Sequence, residues 1–151
     1  MELKALDPIL HASTLRDILE SKKLAQLGDF LANFVYSSVT IGNFDINGSV
    51  HVWDRSLKEA MEKANLRVEM GKKVKPDKVA DAAEALIAFA YFRNLVSLEE
   101  MTAMIHESLS TSDLSSPRKE KVACADAFCV VLEKIIIQAE NEGLVKRLHL
   151  A

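Results

Sequence analysis

An all-α domain is what these 151 residues predict, and three observations lead there. Apolar residues recur every three or four positions through most of the chain. Asp-Pro, Ser-Leu-Glu-Glu and Ser-Pro stand where helices would begin. A single segment, residues 40–53, lacks helical periodicity. The length and the 16.7 kDa mass suit one domain with one substantial core, taken as residues 1–151.

Asp7 and Pro8 read as a cap and first helical residue, opening a helix over 7–20. Leu24, Leu27, Leu31, Phe34 and Val35 carry a second helix over 22–39. Gly28 inside it costs about 1 kcal/mol relative to Ala, which predicts close approach of another backbone or helix. In TIGNFDINGSVHVW, Asn47-Gly48 between alternating Phe44, Ile46, Val50 and Val52 fits a two-residue hairpin and a glycine-punctuated loop equally well. A helix over 53–66 follows, with Leu57, Ala60, Met61 and Ala64 on one face. The basic linker RVEMGKKVKP leads to a helix over 77–94 that is apolar nearly all round, as a central buried helix would be. Ser97 and Glu100 form a capping box for a helix to residue 108. Ser116-Pro117 opens the last helix, and Gly143 ends it.

Composition narrows the function. Hydrophobic residues make up 49% and charged residues 27%, a soluble balance, and no apolar run is long enough to span a membrane. The start MELKALDPIL, with mixed charge and Pro8, argues against a secretory signal, which predicts a cytoplasmic protein. Cys124 and Cys129 lack metal or redox spacing and read as buried thiols in a reducing compartment. A net charge of −3 weighs mildly against a nucleic-acid partner, although a basic patch can coexist with it. His11, His51, His106 and His149 are scattered, and no glycine-rich phosphate loop or nucleophile elbow occurs.

The puzzle lies in DKVADAAEALIAFAYF, where Asp81 and Glu84 interrupt the most apolar helix. At about 100° per residue they lie about 60° apart, and Asp77 shares their face one turn earlier. Such carboxylates raise one another's pKa and need a compensating cation. The residues alone leave that cation open: basic side chains, with Asp77 complementing the helix N-terminus, or a metal. Asp29, directly after Gly28, is a third apolar-flanked acid. Oxygens from two converging helices would suit octahedral Mg²⁺, which activates water against a phosphodiester.

KKLAQLGD, residues 22–29, resembles the ERLEFLGD signature of the ribonuclease III endonuclease domain, and ADAAEALIAFAYF, residues 80–92, resembles that family's second motif, ADAFEALIGAIYL. The resemblance implies an all-helical domain, a homodimer joined through the signature helix, and Mg²⁺-dependent cleavage (Mn²⁺ serving as substitute) of double-stranded or structured RNA, with no DNA partner. It implies catalytic and metal-ligating roles for Asp29, Asp81 and Glu84, with no side-chain nucleophile and 5′-phosphate and 3′-hydroxyl products. The family's remaining acid falls on Ala25, as in the short Mini-III branch, while Lys22 replaces the leading Glu and Gln26 an aromatic residue of the dimer contact. Close packing at Gly28 is expected to lie in that dimer contact.

No residues remain for a separate RNA-binding domain, so RNA contacts are expected from this one. Lys72, Lys73, Lys75 and Lys78, leading into the acidic helix, fit phosphate contacts and a merely solvated loop about equally. Arg118, Lys119 and Lys121 complete the start of a surface helix. An endoribonuclease is the leading expectation. Its rivals are an inactive domain of the same fold serving as an RNA-binding or ribonucleoprotein component, and a helical protein-interaction domain.

Overall fold

The computed structural model describes residues 2–11, 14–46, 52–71 and 73–149. Among them are seven α-helices, one 3₁₀ turn and no strand: α1 (Asp7–His11), α2 (Leu15–Leu19), α3 (Lys22–Phe44), α4 (Asp54–Lys63), the 3₁₀ turn Arg67–Met70, α5 (Pro76–Phe92), α6 (Leu98–Ser110) and α7 (Pro117–Asn141). Among the described residues no helix is long and apolar enough to cross a membrane.

The all-α architecture is as the sequence predicts, with α5 at its centre. Every residue from Ala82 to Ala90 is buried, and α5 packs against α2, α3, α4 and α7. Alanines at 80, 82, 83, 85, 88 and 90 keep its surface low enough for neighbours to press on several sides. The layer is closed by α4 against α7 and by α6 against α3 and α7. Leu57, Ala60, Met61 and Ala64 are all buried, the face expected of α4. Between α4 and α7, Ser56 Oγ donates to the Lys121 carbonyl at 2.8 Å. Between α3 and α7, the buried Tyr36 hydroxyl donates to Glu120 Oε2 at 2.6 Å. Cys124 and Cys129 are buried free thiols, both pushed up to about 12, chiefly by burial.

Helix starts follow the expected chemistry. Ser97 and Glu100 form the predicted box, and Ser116 Oγ accepts from Lys119 N with Pro117 beside it. Asn65, Asn94 and Gly143 adopt left-handed φ after α4, α5 and α7. In each case the next amide returns to a carbonyl five residues back.

Two boundaries differ most from expectation. The first helix is two, because Thr14 starts α2 afresh: its hydroxyl accepts from Asp17 N, and the Asp17 carboxylate accepts from Thr14 N. The second helix continues to Phe44, where Asp45 turns left-handed at φ 52 and the Ile46 amide bonds back to Thr40 O. Phe44 and Ile46 therefore belong to a helix end and not to a strand. The Asn47-Gly48 turn lies outside the described residues.

Past α7 the chain folds back on the 3₁₀ turn. The buried Glu69 carboxylate accepts the backbone amides of Leu148 (3.1 Å) and His149 (2.9 Å). Arg147 clamps Glu140 with two hydrogen bonds of 2.8 and 3.0 Å.

Candidate active site

The site grows from the crossing of α3 and α5. A Cβ built on Gly28 would overlap the Glu84 carbonyl and lie 2.9 Å from Glu84 Cα, so only glycine lets these backbones touch. The close approach predicted for Gly28 is thus made within the chain. Its expected place in a dimer contact is wrong, because the buried face of α3 is the one that carries it.

With the backbones in contact at Gly28 and Glu84, the next residue on α3, Asp29, comes near enough to the Glu84 carboxyl to raise its pKa. Asp81 precedes Glu84 by one turn. The three acids singled out in the sequence are therefore neighbours, yet unequally placed. Glu84 is 6% exposed, Asp29 is exposed, and the Asp81 side chain is 47% exposed. Only Glu84 is the buried carboxyl that the apolar sequence suggested. Asp77 stands exposed in the first turn of α5, in keeping with its expected role at a helix N-terminus.

Two further residues complete the cluster. Asn33, one turn past Asp29, donates Nδ2–H to Asp29 Oδ1 at 3.1 Å and accepts the Val52 amide on its own Oδ1 at 2.6 Å. It fixes Asp29 and anchors the segment entering α4. The first residue of α4, Asp54, adds a negative charge felt at both Asp81 and Glu84. In the sequence Asp54 is indistinguishable from an ordinary first-turn acid. An Asn in a long helix carries no motif at all.

The electrostatics follow from this crowding. Burial pushes the Glu84 carboxyl up to about 9, helped by its hydrogen bond to Asp29 and by the charges of Asp29, Asp81 and Asp54. At neutral pH Glu84 is therefore protonated. Burial also raises Asp81, against the pull of Lys78, with Asp77, Asp54 and Asp29 adding to the rise. Lys78 Nζ sits 3.8 Å from Asp81 Oδ2. Among the described residues no three His, Cys, Asp or Glu side chains stand as a ready metal cage.

Beside Asp81 opens a cavity of about 330 Å³, onto which Lys22, Lys73, Lys75 and Lys78 converge. Of the four lysines singled out in the sequence, Lys73, Lys75 and Lys78 thus share a cavity with Asp81, and Lys72 is outside the described residues.

A family model described as Ribonuclease III matches residues 22–141, from the first residue of α3 to the last of α7. The chain belongs to the ribonuclease III family. The match contains all the acids described above and the glycine that joins them, so the family's shared core is the α3–α7 unit, with α1 and α2 packed outside it. No curated protein matches the chain at a significant level. Membership in the ribonuclease III family supports a ribonuclease-type function acting on RNA.

Proposed function

We propose that this chain is a divalent-cation-dependent endoribonuclease that hydrolyses phosphodiester bonds in double-stranded or structured RNA. One observation carries the reading: the contact of Gly28 with the Glu84 backbone brings Asp29 beside Asp81 and Glu84, and burial first, then the neighbouring carboxylates, push Glu84 up to about 9. An all-oxygen donor set without histidine or cysteine fits Mg²⁺, or Mn²⁺ in its place, better than a softer ion. Asp29, Asp81 and Glu84 would hold it. When bound, the ion supplies positive charge against the phosphodiester oxygens and an acidified water.

The chain's own residues divide the remaining work. Glu84 would give up its proton if it were to hold the cation, since the burial and neighbouring charges that raise it favour a compensating positive charge. Asn33 keeps Asp29 oriented through the 3.1 Å bond to Oδ1. Lys78 leaves Asp81 free to act, because a half-exposed pair at 3.8 Å is held weakly. Lys73, Lys75 and Lys78 are exposed and available to phosphates. The homodimer implied by the family would use the outer face of α3, where Phe30, Phe34 and Ile41 are 71%, 60% and 51% exposed. Two buried free thiols suit a reducing compartment such as the cytoplasm.

A second reading, an inactive domain serving as an RNA-binding or ribonucleoprotein component, is favoured by Ala25 and Lys22 at two acidic family positions. Incubation with long duplex RNA separates the two. Cutting that requires Mg²⁺ or Mn²⁺, stops with a chelator and is lost in Asp81→Asn supports the enzyme. Absence of cutting on paired and interrupted duplexes with either metal supports the structural component.

A further inference from the structure

The cavity beside Asp81 is more than a basic surface. Its base is apolar: Leu19 and Met70 are buried in the core, and Val74 packs against it. Its rim is charged, with exposed Lys22, Lys73, Lys75 and Lys78 set against two carboxylates, Glu20 and Asp81. Of the four lysines, Lys78 alone has an acidic partner among the described residues. Lys73 is held at φ 71, a left-handed conformation unusual for a side chain of this size. Backbone strain of this kind persists where the surroundings enforce it, and it gathers at binding sites. Here the Arg16 guanidinium lies against Gly71 and donates to the Glu69 carbonyl at 3.4 Å, bracing the turn that presents Lys73.

From this arrangement we infer that the cavity is a binding site for one unstacked nucleotide, its base or ribose on the apolar floor and its phosphate on the lysine rim. A volume of about 330 Å³ is at the small end of organic-ligand pockets. A continuous duplex keeps its bases stacked and offers phosphates, 2′-hydroxyls and base edges, polar groups that would leave the apolar floor unused. Ala25 lies on the cavity wall, where a longer acidic side chain would enter the space and repel a phosphate. The site rests on the ribonuclease reading only in naming RNA as the source of the nucleotide; free nucleoside monophosphate shares the same chemistry.

The test is a titration of the full chain, in chelator, with adenosine 5′-monophosphate, adenosine and inorganic phosphate, followed by the methyl resonances of Met70 and Val74. Adenosine monophosphate is expected to shift both resonances and to bind about tenfold more tightly than either fragment, since floor and rim then act together. Lys73→Gln/Lys75→Gln is expected to weaken it about tenfold with an unchanged melting temperature, because both side chains are exposed. Equal affinity for phosphate and nucleotide, shifts confined to other residues, or wild-type affinity in the double variant would each overturn the site. A hairpin RNA with one unpaired nucleotide is then compared with its fully paired form. Tighter binding of the first assigns the nucleotide to an RNA strand, and equal binding assigns the site to free nucleotide. No cleavage enters these measurements, so the pocket and the nuclease reading succeed or fail separately.

Discussion

Glu84 gives up its proton near pH 9 in the folded chain and near 4.5 as a free side chain. Between those values the folded state holds the extra proton, so stability falls as pH rises, by at most about 1.4 kcal/mol per pH unit, and is flat for this group on either side. Glu84→Gln removes that dependence while keeping the shape. Urea melts from pH 5 to 9 should show the variant losing less stability than the wild type and overtaking it by pH 9, with cleavage abolished. Uniform loss of stability at every pH would make Glu84 a structural partner instead. A cation competes with the same proton, so the Mg²⁺ concentration needed to raise the melting temperature by a fixed amount should fall steadily from pH 6 to pH 9. No trend would mean that Glu84 is not a ligand. Asp29, Asp81 and Glu84 were legible because each interrupts an apolar run within a recognisable motif. Asp54 was not, because it reaches the cluster only through the packing of α4, and Asn33 was not, because a lone Asn four residues past Asp29 carries no motif and its bond to the Val52 amide is encoded by no local pattern.

At the level of the helices, the contact between Gly28 on α3 and the Glu84 backbone on α5 sets the spacing of the acids. Gly28→Ala forces a methyl into main-chain atoms that cannot rotate away, and overpacking of this kind costs about 3 kcal/mol. Chemical denaturation should record that loss, together with a Glu84 titration moved toward its ordinary value as the helices separate. An unchanged midpoint would show that the crossing can relax. Most helix starts were visible in sequence because Ser and Pro act within one turn. Two boundaries were hidden for physical reasons. The Thr14 box uses Asp17 where the commoner pattern has Glu or Gln, and the end of α3 depends on Asp45 taking a left-handed φ that aspartate adopts only in some contexts.

Over the whole molecule, α3 is apolar on two opposite sides. Leu24, Gly28, Ala32, Val35 and Val39 face the core. Phe30, Phe34 and Ile41 lie within about 40° of one another on the far side and stand exposed. A second copy placed on this stripe would remove it from water, and a two-fold axis makes any such contact self-complementary. Phe34→Asp should therefore leave the monomer folded, since the side chain is 60% exposed, and turn a dimer into a monomer by sedimentation velocity. A wild type that sediments as a monomer at high micromolar concentration would remove the dimer. The order and pairing of the two motif helices could be read from sequence. Which side of α3 meets its own chain could not, since both sides carry large apolar residues and only the fold chooses between them.

The meeting of Gly28 with Glu84 also has a consequence in time. Asp29 and Asp54 leave the ribosome well before Asp81 and Glu84, and the α7 segment that closes the core against α4 and α6 comes last. Until α5 docks, the acids of α3 and α4 are separated from those of α5. Their mutual repulsion arises only in the final collapse, so the nascent chain can gather its first helices without opposing charge. Whatever chemistry the cluster performs must wait until synthesis has passed α5.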